Sequence, residues 1–242
     1  MTGAAQGIGF AIAERLASLG ARLVLADLAA DKLETAKVRL KDDYNAEVAM
    51  HTGDLAQEAV ANALYVTAVN QFGAAQILVN CAGGGVILPF LKHTPETLRA
   101  TLDRNLWTVL WCTRAFLPDM LAARYGRIIN IGADSVRTGL VDHAGYNAAK
   151  GGVHALTTGL AREFARDGVT FNTVAPCAVA TPQLEHFIQL DPKLAERFID
   201  VIPIGRAASV GEVASMVAYL AQPEAAFVTG QTISVNGGSA MP

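Results

Sequence analysis

The sequence predicts a doubly wound α/β fold on a parallel sheet, and three observations carry that prediction. Apolar runs of strand length alternate with helical patterns along all 242 residues, with no linker and no internal repeat. Hydrophobic residues make up 52% of the chain and charged residues only 17%, which suits strands buried on both faces. A glycine-spaced turn, with glycines at 3, 7 and 9, opens a helical pattern in the way a phosphate-binding turn does. A single domain spanning residues 1–242 is expected, at the large end for one core.

Charge and cysteine content narrow the partners. The net charge is −3 and Lys and Arg form no run, so nucleic acid is not an expected partner. The 3 cysteines (Cys81, Cys112 and Cys177) are far apart and lack metal-ligand spacing, so a reduced, cytoplasmic protein without a metal site is expected. No signal peptide is expected before the first motif. The most apolar helical stretch, Leu106–Leu117, is short and holds Arg114, so no membrane span is expected.

Taken in order, the chain opens on Thr2-Gly3-Ala4-Ala5-Gln6-Gly7-Ile8-Gly9 and a helical pattern (Ile8, Ala11, Ile12, Leu16, Leu19) that stops at Gly20. A turn of this kind needs a strand running into it, and only Met1 and Thr2 stand there. Leu23–Ala26 reads as a buried strand ending at Asp27. A carboxylate there can bind ribose hydroxyls and repel a 2′-phosphate, which favours NAD over NADP, or it can simply start the next helix. Gln6 agrees with NAD, since no basic residue sits in the turn. A helix over about Ala30–Lys41, a strand near Glu47–His51 and a turn at Gly53-Asp54 follow. Asp54 either meets an adenine edge or caps the helix running to Phe72.

Ile77–Asn80 is the next strand, ending in Cys81-Ala82-Gly83-Gly84-Gly85, where small residues admit a nucleotide against the backbone. Thr94-Pro95 starts a helix that runs to about Tyr125 and carries the polar Asn105 among apolar neighbours, as a structural hydrogen-bonder or as part of a proton path. Arg127–Ile131 is a strand, Tyr146–Asp167 a long helix and Thr170–Val174 another strand. The apolar stretch 176–204 reads as two short helices, either a substrate lid at about 180–205 or a surface hairpin packed on the core. A helix over Ser209–Leu220 and a strand over Thr232–Val235 close the chain.

The stretch between 132 and 152 carries the chemistry. Tyr146 and Lys150 are four apart, which puts phenol and ammonium on one helical face. A free tyrosine ionises near pH ~10, and a nearby lysine charge moves it toward usable general-base strength.

The glycine turn, Asp27, Asp54, Asn80-Cys81-Ala82-Gly83, Asn105, Tyr146 with Lys150, and Pro176 through Thr181 stand in the order and at the intervals of the short-chain dehydrogenase/reductases, which this chain resembles over essentially its whole length. The resemblance implies a Rossmann-type fold in which Gly3, Gly7, Ile8 and Gly9 embrace the cofactor pyrophosphate, Asp27 the ribose and Asp54 the adenine. It places Asn80, Ala82 and Gly83 beside the cofactor and Val179 and Thr181 at the nicotinamide end. It makes Tyr146 the acid/base, has Lys150 hold the nicotinamide ribose and lower the tyrosine pKa, and gives Asn105 a water in a proton relay. It further implies a homo-oligomer, a tetramer built partly on the Tyr146–Asp167 helix and the C-terminal strand.

Three positions depart from the family pattern. The opening strand is missing, as an incorrectly chosen start or a truncation would leave it. Ala133 stands thirteen residues before Tyr146, where the family carries a catalytic serine, and the nearest hydroxyl is Ser135. Ser135 either turns its hydroxyl toward the substrate oxygen or caps the loop locally. Cys177 replaces a glycine after Pro176 and reads as a pocket wall. Leu110–Met120 is similar to its counterpart in members that oxidise aromatic cis-dihydrodiols, and His143 is either a substrate contact or an exposed loop residue.

The expected activity is therefore NAD-dependent interconversion of a secondary alcohol and a ketone, leaning to a cyclic alcohol or aromatic cis-dihydrodiol. A 3-oxoacyl reductase is the alternative among enzymes, and a catalytically silent dinucleotide-binding sensor or scaffold the alternative outside them.

Overall fold

The computed structural model describes residues 1–182, 184, 188–189 and 199–241. Each apolar run expected to be a strand is one: β1 (Leu23–Asp27), β2 (Val48–Thr52), β3 (Ile77–Asn80), β4 (Gly126–Ile131), β5 (Val169–Pro176) and β6 (Thr232–Val235). All pairings are parallel. β1 pairs with β2, and β3, β4, β5 and β6 pair in that order. Every strand therefore delivers its carboxyl end to the same edge, where ligands bind in sheets of this kind.

β1 and β3 do not pair with each other. Met1 and Thr2 lie between them: the Thr2 amide donates to the Val79 carbonyl (3.0 Å), and the Ala26 amide donates to the Met1 carbonyl (2.9 Å). These two residues stand in the place of the expected opening strand.

Helices cover both faces. On one side α1 (Gly7–Ala17), α2 (Ala30–Tyr44) and α8 (Val210–Ala221) bury Ile12, Leu16, Leu33, Leu40, Val217 and Leu220 against Val79, Ile129 and Val174. On the other, α3 (Glu58–Phe72), α5 (Thr108–Ala123) and α7 (Ala144–Glu163) bury Leu64, Phe116, Met120 and Ala161 against Leu78, Ile128 and Phe171. Adjacent strand residues such as Leu78 and Val79 thus serve opposite layers, which is why the strands read as unbroken apolar runs.

Three local features differ from the sequence reading. The long helix expected from Thr94 is α4 (Pro95–Leu102), a π turn at Asp103–Trp107, and then α5. Within that turn the Asn105 side-chain amide donates to the Thr101 and Gly84 carbonyls. A short helix, α6 (Ser135–Thr138), stands just after β4 and is stopped by Gly139 at φ 67°. α7 begins at Ala144, two residues before Tyr146. Half of the expected lid at about 180–205 lies outside the described residues.

Candidate active site

The glycine turn closes on itself and on the end of β3. Gly3 has φ +63°, and a Cβ there would lie 2.7 Å from the Ala82 amide nitrogen. A Cβ on Gly9 would overlap the Gly3 carbonyl oxygen. A Cβ on Gly7 would stand 3.6 Å from Thr181 Cγ2, so the segment after β5 folds over the turn. Val179, two residues earlier, is buried and bridges to Ala208. α1 starts at Gly7 with no side-chain cap from Gln6 and no acidic residue in its first turn, leaving the amides of Gly7, Ile8 and Gly9 to an anionic ligand. Thr2 fixes the turn from below: its buried Oγ1 accepts from the amides of Cys81 and Ala82, each at 3.0 Å. Its position just before the first glycine was the available sequence signal for this role.

At the tip of β1 the Asp27 carboxylate accepts from the Ala5 amide (3.0 Å) and the Ala29 amide (3.1 Å), which holds it beside the glycine turn. The sequence reading missed Lys32, whose Nζ donates to Gln6 Oε1 at 2.7 Å and brings a cation beside the turn from α2. Asp54 is exposed and accepts from the Ala56 amide at 3.0 Å, four residues before α3 begins; Gln57, not Asp54, occupies the cap position of that helix. The Asn80 side chain, 2% exposed, donates into the core to Asn130 Oδ1 (2.9 Å) and Thr113 Oγ1 (3.3 Å). A side chain at Gly3 or Gly9 would strike the chain's own backbone, so the glycines keep the turn tight, and the uncapped start of α1 beside it fits the phosphates of a dinucleotide.

Around Tyr146 the parts fit closely. Lys150 Nζ lies 5.9 Å from the centre of the Tyr146 ring and donates to the Ile131 carbonyl at 2.7 Å. A Cβ on Gly83 would be 2.9 Å from Asn105 Oδ1 and 3.3 Å from Lys150 Nζ, so both groups flank one point. A Cβ on Gly85 would come within 2.7 Å of Tyr146 Cδ2. Glycines 83 and 85 are therefore the floor on which Asn105, Lys150 and Tyr146 meet. Asn105 itself is locked: Nδ2 donates to the Gly84 and Thr101 carbonyls (2.8 Å each), and Oδ1 accepts from the Gly84 amide (3.2 Å).

Burial governs the charges. It pushes the Tyr146 phenol up to about 12 and the Lys150 ammonium down to about 8. The nearby Cys81 thiol is likewise pushed up to about 12 by burial, against the pull of Lys150. Burial is the first cause of the Tyr146 rise, and Cys81 adds to it.

The loop after β4 brings Ser135 against α7. Ala133 gives its amide to His154 Nε2 (3.4 Å), while the Ser135 hydroxyl donates to Asn147 Oδ1 at 2.6 Å. This bond ties the hydroxyl to the residue after Tyr146. His143 donates from Nδ1 to the Val141 carbonyl (2.7 Å) and meets the Tyr146 ring edge-on, with centroids 6.0 Å apart. Cys177 is half-buried, its thiol donates to the Ala178 carbonyl (3.6 Å), and burial raises its pKa, which suits a wall rather than a nucleophile.

A family model described as enoyl-(acyl carrier protein) reductase matches residues 3–240. The chain is 65% identical over 241 residues to the 2,3-dihydroxy-2,3-dihydro-p-cumate dehydrogenase of Pseudomonas putida, covering 100% of this chain and 93% of that one. It is 33% identical over 249 residues to the 1,6-dihydroxycyclohexa-2,4-diene-1-carboxylate dehydrogenase of Acinetobacter baylyi, covering 98% and 94% of the two chains. The crystal structure of levodione reductase superposes with a TM-score of 0.94 at 32% identity, over 100% of this chain and 96% of that one. With fold and sequence matched from end to end, the chain belongs to the short-chain dehydrogenase/reductase family and is an oxidoreductase acting on CH–OH groups.

Proposed function

We propose that the protein oxidises a cyclic cis-dihydrodiol to the corresponding ketone, with NAD preferred over NADP. The observation that carries the chemistry is the meeting of Tyr146, Lys150 and Asn105 on the bare Cα atoms of Gly83 and Gly85, at the carboxyl edge of the sheet. The 65% identity to a p-cumate dihydrodiol dehydrogenase supports the substrate class.

When bound, the nicotinamide supplies the hydride acceptor. The protein's own part is binding, orientation and proton handling. The amides of Gly7, Ile8 and Gly9 at the start of α1 hold the pyrophosphate, and the Asp27 carboxylate holds the adenosine ribose. Asp54 borders the adenine, Ala82 and Gly83 give a side-chain-free surface, and Val179 and Thr181 close the nicotinamide end. Tyr146 takes the proton of the substrate hydroxyl as its own proton leaves toward Lys150 and Asn105 and the carbinol hydride departs. Lys150 holds the nicotinamide ribose, and with Asn105 it lines the path by which the tyrosine proton leaves. Ser135 serves through Asn147, which it holds beside Tyr146. The oxidised dihydrodiol is a hydroxy-dienone, and its enolisation to an aromatic catechol draws the reaction forward.

The protein works in the cytoplasm as a homotetramer. Its free cysteines suit a reducing compartment, and fully exposed Phe227, exposed Tyr219 and the stacked pair Trp107 and Trp111 (5.1 Å between centroids) supply apolar surface for assembly. Among the described residues no helix is long and apolar enough to cross a membrane.

The test is NADH formation by the purified protein over cis-dihydrodiols of aromatic acids, simple cyclic secondary alcohols and hydroxyacyl thioesters. Turnover concentrated on the dihydrodiols supports the proposal. Turnover confined to the thioesters, or cofactor binding with no turnover at all, refutes it.

A further inference from the structure

Asp134 is the most thoroughly bonded buried charge near the site, and nothing in the reaction as proposed uses it. Its side chain is 1% exposed. Ser234 Oγ donates to it at 2.9 Å, Ser239 Oγ at 3.4 Å, and Asn236 Nδ2 makes a third, short hydrogen bond. Arg137 stands 3.9 Å away and ties itself to the same strand through Ser234 Oγ (2.8 Å) and the Thr232 carbonyl (3.0 Å). The Asp134 amide donates to the Pro176 carbonyl at 2.9 Å. One residue thus joins the loop after β4, the end of β5 that leads to Cys177 and Val179, strand β6 and the turn at 236–240.

The neighbours of Asp134 in sequence are the ones that reach the catalytic residues. The Ile131 carbonyl receives Lys150, the Ala133 amide is given to His154 of α7, and Ser135 holds Asn147 beside Tyr146. A buried carboxylate persists only where donors surround it, and here nearly all of them come from the C-terminal segment. We propose that Asp134 is a positioning residue: its carboxylate clamps the loop that carries Ala133 and Ser135 to β6 and the C-terminal turn, and so sets Tyr146 and Lys150 for the reaction. The inference rests on the dehydrogenase reading for its kinetic consequence, but the clamp itself is a property of the chain.

The test compares Asp134→Asn, Asn236→Ala and the double variant with the wild type, all loaded with NAD. Asp134→Asn keeps the shape of the side chain and removes its charge. It is expected to lower kcat for alcohol oxidation by about tenfold or more while KM for NAD changes by less than about twofold. Because both single variants open the same clamp, the double variant is expected to lose no more than about twofold beyond the larger single loss. Amide exchange over residues 132–140 is expected to quicken in each variant while α2 keeps its protection. Wild-type kcat in Asp134→Asn, fully multiplicative losses in the double variant, or quickened exchange spread evenly over the chain would overturn the proposal. If the wild-type protein oxidises no dihydrodiol, the substrate reading fails, and the exchange comparison still decides the clamp.

Discussion

Adding one methyl group at Gly83 is the sharpest perturbation of the catalytic cluster. In Gly83→Ala the new carbon would stand 2.9 Å from Asn105 Oδ1 and 3.3 Å from Lys150 Nζ, so at least one of them has to move by several tenths of an ångström. Neither moves freely. Asn105 is pinned by two carbonyls at 2.8 Å and an amide at 3.2 Å, and Lys150 by the Ile131 carbonyl at 2.7 Å. Overpacking of this kind costs about 1–3 kcal/mol. For a chain of this size that is a fall in Tm of about 2–4 °C per kcal/mol. The methyl also fills the space between the two groups proposed to line the proton path, so kcat is expected to fall further than stability alone explains, by about 10–100-fold. Differential scanning calorimetry and steady-state oxidation of a dihydrodiol measure the two effects on one preparation. A Gly83→Ala protein with unchanged Tm and unchanged kcat would refute the placement of Asn105 and Lys150 around that point.

Other expectations follow from single residues. Asp27→Ala removes the charge that a 2′-phosphate would face, so kcat/KM with NADP is expected to rise relative to NAD, helped by Lys32 beside the turn; wild type using NADP as well as NAD would contradict the role given to Asp27. His154 is held down at about 4 from an ordinary 6.5, chiefly by burial and then by the charges of Arg137 and Lys150. The unfolded chain therefore binds a proton in that window while the folded chain does not, so His154 costs stability as pH falls from about 6.5 toward about 4 and costs none above it. His154→Gln is expected to flatten this acid-side loss in urea unfolding series; an unchanged pH slope would remove His154 as its source. Ser135→Ala, losing the 2.6 Å bond to Asn147, is expected to lower kcat by less than about tenfold, whereas loss of a direct transition-state donor costs about 100-fold or more.

Much of this architecture is legible in the sequence because it depends on local pattern. Leu78-Val79 and Ile128-Ile129 read as buried strands because both faces of a parallel sheet are covered, and the four-residue step from Tyr146 to Lys150 is a property of any helix. What escaped depends on partners far away in the chain. Asp134 meets residues about a hundred positions later, so nothing around it announces a clamp. Asn80 ends a strand, but which face its side chain takes is fixed by Asn130 and Thr113 across the core, not by its place in a motif. The π turn at Asp103–Trp107 has no composition signal, although it sets Asn105. The rise of the Tyr146 pKa comes from burial depth, which spacing to a lysine cannot report.

The central claim is that Tyr146 is the group that takes the substrate proton. Single-turnover oxidation of a cis-dihydrodiol by Tyr146→Phe, with NAD binding measured on the same protein, tests it most directly. The account expects the chemical step to slow by about 100-fold or more, with the dissociation constant of NAD within about threefold of wild type. A Tyr146→Phe protein that binds NAD normally and oxidises the dihydrodiol at the wild-type rate would contradict it.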